Sequence, residues 1–273
     1  TIDCSHPNSP EPISWHKAVV FGQKILIFGG MSETDNLDDY FSFNPSRFFW
    51  TKKSDQKRFK EREHFSVIFM KSKNQIYIFG GYYLSKDGSN EINYNDIHCL
   101  NLELMQWTRP KIKSKTCPKG RFHHTANLMN GQMVIFGGAN NNGFNKSIFG
   151  DFWKIRLNQN SKEAKWEQID FDGQAPSKRF GHSSVKFADY LIIHGGFGPE
   201  SRIHDDTYLI DWATRSSTHI QMSSFPRTLP RVYHSMIRVE NSLYLFGGQS
   251  RNNWDMNQNQ KEYLYKLKFS FEK

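Results

Sequence analysis

Cysteine is scarce in this 273-residue chain, with thiols only at Cys4, Cys99 and Cys117. An odd number without ligand-like spacing argues against a disulfide framework and against a zinc site, so a reduced, cytoplasmic setting is the default expectation. Long apolar runs are missing too. Stretches such as Ile25 to Phe28 and Tyr190 to Ile193 are among the longest, far below the ~20 residues of a membrane-spanning helix. No charged-then-apolar leader opens the chain, and its start at Thr1 reads as trimmed or partial. There is no Gly-x-x-x-x-Gly-Lys loop, no Gly-x-Ser-x-Gly elbow and no His-Glu-x-x-His pair. Those absences remove the common phosphate-cradling, nucleophile and zinc-protease signatures, so the expectation is a protein without catalytic residues, metal or organic cofactor. Apolar residues make up only 37%, yet there are 23 Phe, 11 Tyr and 7 Trp. Disordered chains are poor in aromatics, and this length can bury a sizeable core.

What is present is repetition. Five glycine pairs each close an apolar run: Gly29-Gly30, Gly80-Gly81, Gly137-Gly138, Gly195-Gly196 and Gly247-Gly248. A histidine precedes each pair (His16, His64, His124, His182, His234), 13 residues upstream in four repeats and 16 in the second. The extra length falls at Lys71-Ser72-Lys73-Asn74 and reads as a lengthened hairpin turn. Arg121, Arg179 and Arg231 stand three residues before their histidine and Arg62 two before, whereas Ile13 takes that place in the first repeat. Downstream, Asp39, Asp96, Asp151 and Asp206 open short aromatic strands, and Trp50, Trp107 and Trp166 follow as candidate core residues. Each repeat reads as four short strands punctuated by turn residues.

This pattern resembles the kelch repeat: Arg-x-x-His, an apolar strand ending in Gly-Gly, an Asp-led aromatic strand and a Trp. The resemblance covers almost the whole chain. It implies an all-β fold, a kelch β-propeller of four-stranded antiparallel blades, here with five visible repeats at about 13–52, 62–109, 121–168, 179–220 and 231–273 of one domain over 1–273. Residues 1–4 read as an outer strand. That strand either closes a five-bladed ring by pairing the chain's ends or is the remnant of an earlier blade of a six-bladed ring. Closure is preferred, because it removes two exposed sheet edges. The glycine pairs fit places where a Cβ would obstruct the approach of neighbouring blades.

Charge is uneven. Lys and Arg number 36 against 27 Asp and Glu, a net +9. The segment 52–62 carries Lys52, Lys53, Lys57, Arg58, Lys60 and Arg62 against two acids, and 109–121 carries Arg109, Lys111, Lys113, Lys115, Lys119 and Arg121 against none. Together they exceed the net charge of the chain. Both are connections between blades and share a face with the long loops 82–94, 139–149 and 249–261, whose aromatics include Tyr82, Tyr83, Phe144 and Trp254. Such a one-sided field favours an acidic protein or peptide partner. Kelch resemblance implies a non-enzymatic interaction module: a substrate adaptor of a ubiquitin ligase or a cytoskeletal or ciliary scaffold, a subunit of a larger assembly. In kelch adaptors the arginine opening each blade often lines an acidic-peptide pocket, which implies that role for Arg62, Arg121, Arg179 and Arg231; the alternative is an arginine tied to a neighbouring blade's carbonyls. Nucleic acid is the second reading for the basic loops and aromatics, and no membrane role is expected.

Overall fold

The computed structural model describes residues 8–33, 40–53, 60–142, 145–158, 160–220, 230–250 and 264–268. The expected closing strand at 1–4, with Phe144 and Trp254, lies outside the described residues. The chain is all β, built as the antiparallel blades of a β-propeller, and it divides into two compact units: Thr1–Phe122 with Ile155–Trp166, and His123–Lys154 with Glu167–Lys273.

In the first unit β1 (Lys17–Phe21), β2 (Lys24–Phe28), β3 (Tyr40–Asn44) and β4 (Phe49–Lys53) form one sheet in chain order. The next sheet takes β5 (Ser66–Met70) and β6 (Gln75–Phe79). An arm of β7 (Tyr82–Leu84) and β8 (Glu91–Asn93) interrupts it before β9 (Ile97–Asn101) and β10 (Gln106–Thr108) complete it. The lengthened turn is a 3-10 turn at Lys71–Lys73, closed by Asn74 at φ 49°, after which Met70 still pairs with Gln75. A short strand β11 (Lys111–Ile112) follows.

The second unit begins with the hairpin β12 (Thr125–Met129) and β13 (Gln132–Phe136), turned by Asn130-Gly131 with both residues at positive φ. Asn-Gly is the favoured pair there because both central positions need the left-handed region. A second arm, β14 (Ala139–Asn142) and β15 (Asn145–Ile148), precedes β16 (Phe152–Leu157) and β17 (Glu163–Ile169), which run through both units. After β18 (Asp172–Gly173) come β19 (Ser183–Phe187), β20 (Tyr190–His194), β21 (Thr207–Asp211) and β22 (Ser216–Ile220). The last described sheet is β23 (Ser235–Val239), β24 (Ser242–Phe246) and β25 (Leu264–Lys268).

The two arms and the connectors differ from the loops read in the sequence. β11 lies parallel to β17, pairing Lys111 with Glu163 and Ile112 with Ala164. β18 lies parallel to β22, pairing Asp172 with Ser216. Each connector therefore adds a fifth strand at the outer edge of the sheet it leads into.

Alternation explains the cores. β2 sends Leu26 and Phe28, and β6 sends Ile76 and Ile78, into a cluster with Tyr40, Phe65, Leu100 and Trp107. The opposite face of β6, Tyr77 and Phe79, is also buried, with Phe79 4.9 Å from the Trp166 ring. In the second unit Phe136, Phe152 and Ile169 pack with Ile193, Ile210 and Trp212, and Ile192 packs with Leu243, Leu245 and Leu267. A fully buried side chain of this size contributes about 1.5–3 kcal/mol.

Candidate interaction surface

The blade-opening arginines are interior groups. Arg62 donates from Nε to the Lys60 carbonyl (3.1 Å) and from Nη1 to the Gly80 carbonyl (3.1 Å). Its fork closes on Asp96, at 2.7 Å to Oδ1 and 3.2 Å to Oδ2, over the Tyr94 ring at 3.9 Å. Arg179 repeats the arrangement on the Ser177 and Gly195 carbonyls, with Asp206 at 2.5 and 3.0 Å. Arg121, fully buried, keeps the same Nε bond to the carbonyl two residues earlier, that of Lys119, at 3.1 Å. Arg231 donates to the Gly247 carbonyl (3.2 Å) and lies over the Tyr265 ring at 4.4 Å. Expected at a pocket mouth, these four guanidiniums are instead buried inside the blades, and at Arg62 and Arg179 a bidentate carboxylate satisfies a charge that burial would otherwise penalise. Burial pushes the Asp96 carboxyl up, but hydrogen bonds from His98 and Arg62 and their charge outweigh it and hold it well below the usual carboxylate range. Asp206 is held low the same way by His204 and Arg179 against its own burial.

The glycine pairs work beside them. Gly30, Gly81, Gly138 and Gly196 donate their N–H to the carbonyl of the next blade's Arg62, Arg121, Arg179 and Arg231, at 2.8–3.1 Å. A Cβ on Gly137 would stand 2.6 Å from the Arg179 carbonyl, and that glycine sits at φ +66°. Glycine is required at such a seam for both reasons. The repeated histidines join successive blades as well: His182 Nε2 meets Thr125 Oγ1 at 2.9 Å and His234 Nε2 meets Ser183 Oγ at 2.6 Å. Burial, with the nearby Arg179 charge, pushes His182 down to about 3, and burial lowers His234 well below its usual value. These rings are neutral packing groups. Among the described residues no group of three or more His, Cys, Asp or Glu converges as metal ligands.

The lysines lie outside. Lys111, Lys113 and Lys115 are exposed along and just beyond β11, whose position is fixed by its pairing with β17 and by the Trp166 N–H bond to Ser114 Oγ (3.1 Å). Lys113 pairs with Glu163 at 3.0 Å. Lys52, Lys53, Lys60, Arg109 and Lys119 are exposed in the same unit. Among the described residues, the exposed cations of the two basic segments thus belong to one unit, with Lys111 on a paired strand.

The aromatic candidates separate. Tyr82 is half-buried, donates to Glu91 Oε1 at 3.1 Å and packs on Phe122 at 5.0 Å; Tyr83 is half-buried beside it on the arm. The arm's tip is organised by Asp87, which accepts from Ser85 Oγ (2.6 Å) and from the backbone N–H and hydroxyl of Ser89. These bonds hold the Asp87 carboxyl at about 2. In the sequence Asp96 and Asp206 read only as strand openers. Their role as arginine partners was signalled by their recurrence one per repeat with the arginine.

The profile of the KLHDC2/KLHL20/DRC7 Kelch-repeats domain matches residues 15–248. Ras guanine nucleotide exchange factor F of Dictyostelium discoideum is 29% identical over 163 residues, 59% of this chain and 14% of that protein. The flagellar outer-arm dynein alpha chain of Chlamydomonas reinhardtii is 26% identical over 222 residues, 74% of this chain and 5% of that one. The human Rab9 effector protein with kelch motifs is 26% identical over 184 residues, 67% of this chain and 46% of the effector. The chain thus spans less than half the length of each of these relatives. With a recurrent Arg–Asp fork, a glycine seam to each following arginine and a profile match over most of its length, the chain belongs to the kelch-repeat family.

Proposed function

We propose that this propeller is a non-catalytic interaction module that offers the basic rim of its first unit to an acidic protein partner, as a scaffold or adaptor within a larger assembly. Kelch-repeat propellers are generally protein-interaction modules, and relatives named as a Rab effector and as a flagellar dynein chain carry matching segments. The observation carrying the reading is the row of exposed Lys111, Lys113 and Lys115 at β11. Lys111 and Lys113, whose backbone N–H groups bond to the carbonyls of Lys162 and Ala164, lose less freedom on binding than cations on a loose loop, so they suit a fixed complementary surface.

The test is capture from native lysate by the wild-type chain and by a Lys111→Glu/Lys115→Glu variant, which spares the Lys113–Glu163 pair. Acidic proteins should be recovered by the wild type, lost with the variant, and recovered less as salt rises. Ubiquitin-ligase subunits among them identify an adaptor, and axonemal or cytoskeletal proteins a scaffold. An identical set with both chains overturns the basic-rim reading. Recovery of RNA instead, with log affinity falling steeply and linearly in log salt, favours nucleic acid.

A further inference from the structure

The two basic segments meet at a cavity of about 450 Å³ in the first unit. Lys60, from the first segment, and Arg109, from the second, stand on its lining, joined by Lys162 from the turn before β17. The inner wall is Trp107, with Asp96 and His98. Trp107 is only 2% exposed and is fixed edge-on to Phe28 and Tyr40, at 6.1 and 6.4 Å, so this wall is rigid.

The charge balance is one-sided. Asp96 is already forked by Arg62 from within and bonded to His98 Nε2 at 2.8 Å. Arg109 approaches the same carboxylate only to 3.7 Å, beyond hydrogen-bond distance, and its side chain is 67% exposed. Counting Arg62 beneath the floor, four cations face one carboxylate, leaving three positive charges around a concavity. Solvated lysines on a convex rim repel weakly and spread apart; cations converging on a pocket from three chain segments are positioned for a shared counter-anion. A carboxylate brings one charge. A phosphate monoester brings about −1.5 to −2 near neutral pH and three strong acceptor oxygens, which matches three separate donors. The volume also exceeds what the anion alone fills, leaving room for the organic body that carries it against the indole.

We infer that the cavity bounded by Lys60, Trp107, Arg109 and Lys162 is a binding site for a phosphate monoester. The monoester is either a phosphorylated side chain of a peptide or a small phosphorylated metabolite. This stands apart from the lysine rim at β11, and the two readings fail separately.

The experiment follows the Trp107 resonance by ¹⁹F NMR in the full chain labelled with 5-fluorotryptophan, assigned with Trp107→Phe. The probes are free phosphoserine, a serine-phosphorylated peptide, and the same peptide with glutamate at that position, all at physiological ionic strength. The monoesters should shift Trp107 saturably, and the glutamate peptide should bind at least about tenfold more weakly. Arg109→Gln and Lys162→Gln, both at exposed positions, should each weaken binding about tenfold, whereas Lys115→Gln should not. Peptide binding at least tenfold tighter than free phosphoserine identifies a peptide source; equal affinities identify a metabolite. Either supports the site. No Trp107 shift with any monoester at millimolar concentration, equal binding of the glutamate peptide, or indifference to Arg109→Gln and Lys162→Gln overturns it. A single-stranded RNA that shifts Trp107 at lower concentration than the monoesters overturns it as well.

Discussion

The second and last described sheets carry the same repeat, yet the structure uses them differently. Phe79 and Phe246 both end the apolar strand before a glycine pair; Phe79 is fully buried and Phe246 is 50% exposed. Arg62 is locked by Asp96, whereas Arg231 rests on the Tyr265 ring. Along β23 and β24 the exposed Ile237, Val239 and Phe246 occupy places that alternate with the buried Met236, Leu243 and Leu245. Among the described residues one face of that sheet is packed and the other is exposed, while the second sheet is covered on both. A repeat motif therefore encodes a blade's internal wiring, and neighbours decide how much each position contributes to stability.

Breaking the wiring where it is fully buried should have the largest effect. Asp96→Ala removes the carboxylate and strands the Arg62 guanidinium without its bidentate partner, at a cost of about 3–5 kcal/mol. Phe79→Ala opens a cavity beside Trp166, also about 3–5 kcal/mol. The changes in the last sheet should cost less: Phe246→Ala about 1 kcal/mol or less, because its ring is half exposed, and Arg231→Met about 1–3 kcal/mol, because it takes a donor from the Gly247 carbonyl but strands no buried charge. Urea unfolding of the four variants checks the contrast. Equal losses in the two sheets would show that the exposed face of the last sheet is covered in solution.

Much of this is legible in the amino-acid sequence. Five glycine pairs in register with a histidine, four of them followed by an aspartate, give the blade, because each repeat supplies the same strand ends at the same spacing. The arginines were misplaced, since a guanidinium reads the same in sequence whether it faces a peptide or a buried carboxylate; only the fold brings Arg62 to Asp96 across 34 positions. The arms β7–β8 and β14–β15 were read as loops because Asn, Gly and Ser lack strand propensity, and their pairing arises from the hairpin itself. β11 was hidden for another reason. It is a two-residue strand made by a partner some 50 residues later, and no local pattern announces it. The cavity at Trp107 is likewise assembled from three distant segments.

Acid should sharpen the comparison next. His182, His194 and His234 belong to the second unit; burial pushes the first two down to about 3 and about 4, and holds His234 well below its usual value. Their folded values lie below the unfolded 6.5, so the stability they contribute is complete above that pH and is lost as pH falls towards 4. The slope is up to about 1.4 kcal/mol per pH unit for each ring. Asp96 and Asp206 are lowered too, and what they contribute is lost only below the ordinary carboxylate value of 3.8. Urea midpoints between pH 7.5 and 5 should therefore fall, and His182→Gln, even if less stable at neutral pH, should flatten the slope. A midpoint independent of pH over that range would contradict neutral buried histidines.

The smallest expected effect distinguishes the two connector strands. β18 enters its sheet through Gly173, at φ +91° with the Ser217 carbonyl 2.5 Å from where a Cβ would stand, so backbone fit holds it. β11 has no such seam, and just beyond it Lys113 pairs with Glu163, their side chains 39% and 49% exposed. Exposed pairs contribute about 0–1 kcal/mol. Lys113→Glu should thus cost roughly 0.5 kcal/mol through two facing carboxylates, and adding Glu163→Lys should restore most of it. Gly173→Ala should cost more than either, as backbone rather than side chain must yield. A double-mutant cycle by thermal unfolding at low and high salt measures the pair. A coupling that survives high salt undiminished would mean the pair is desolvated, and β11 would then be a structural strand whose lysines serve the fold before any partner.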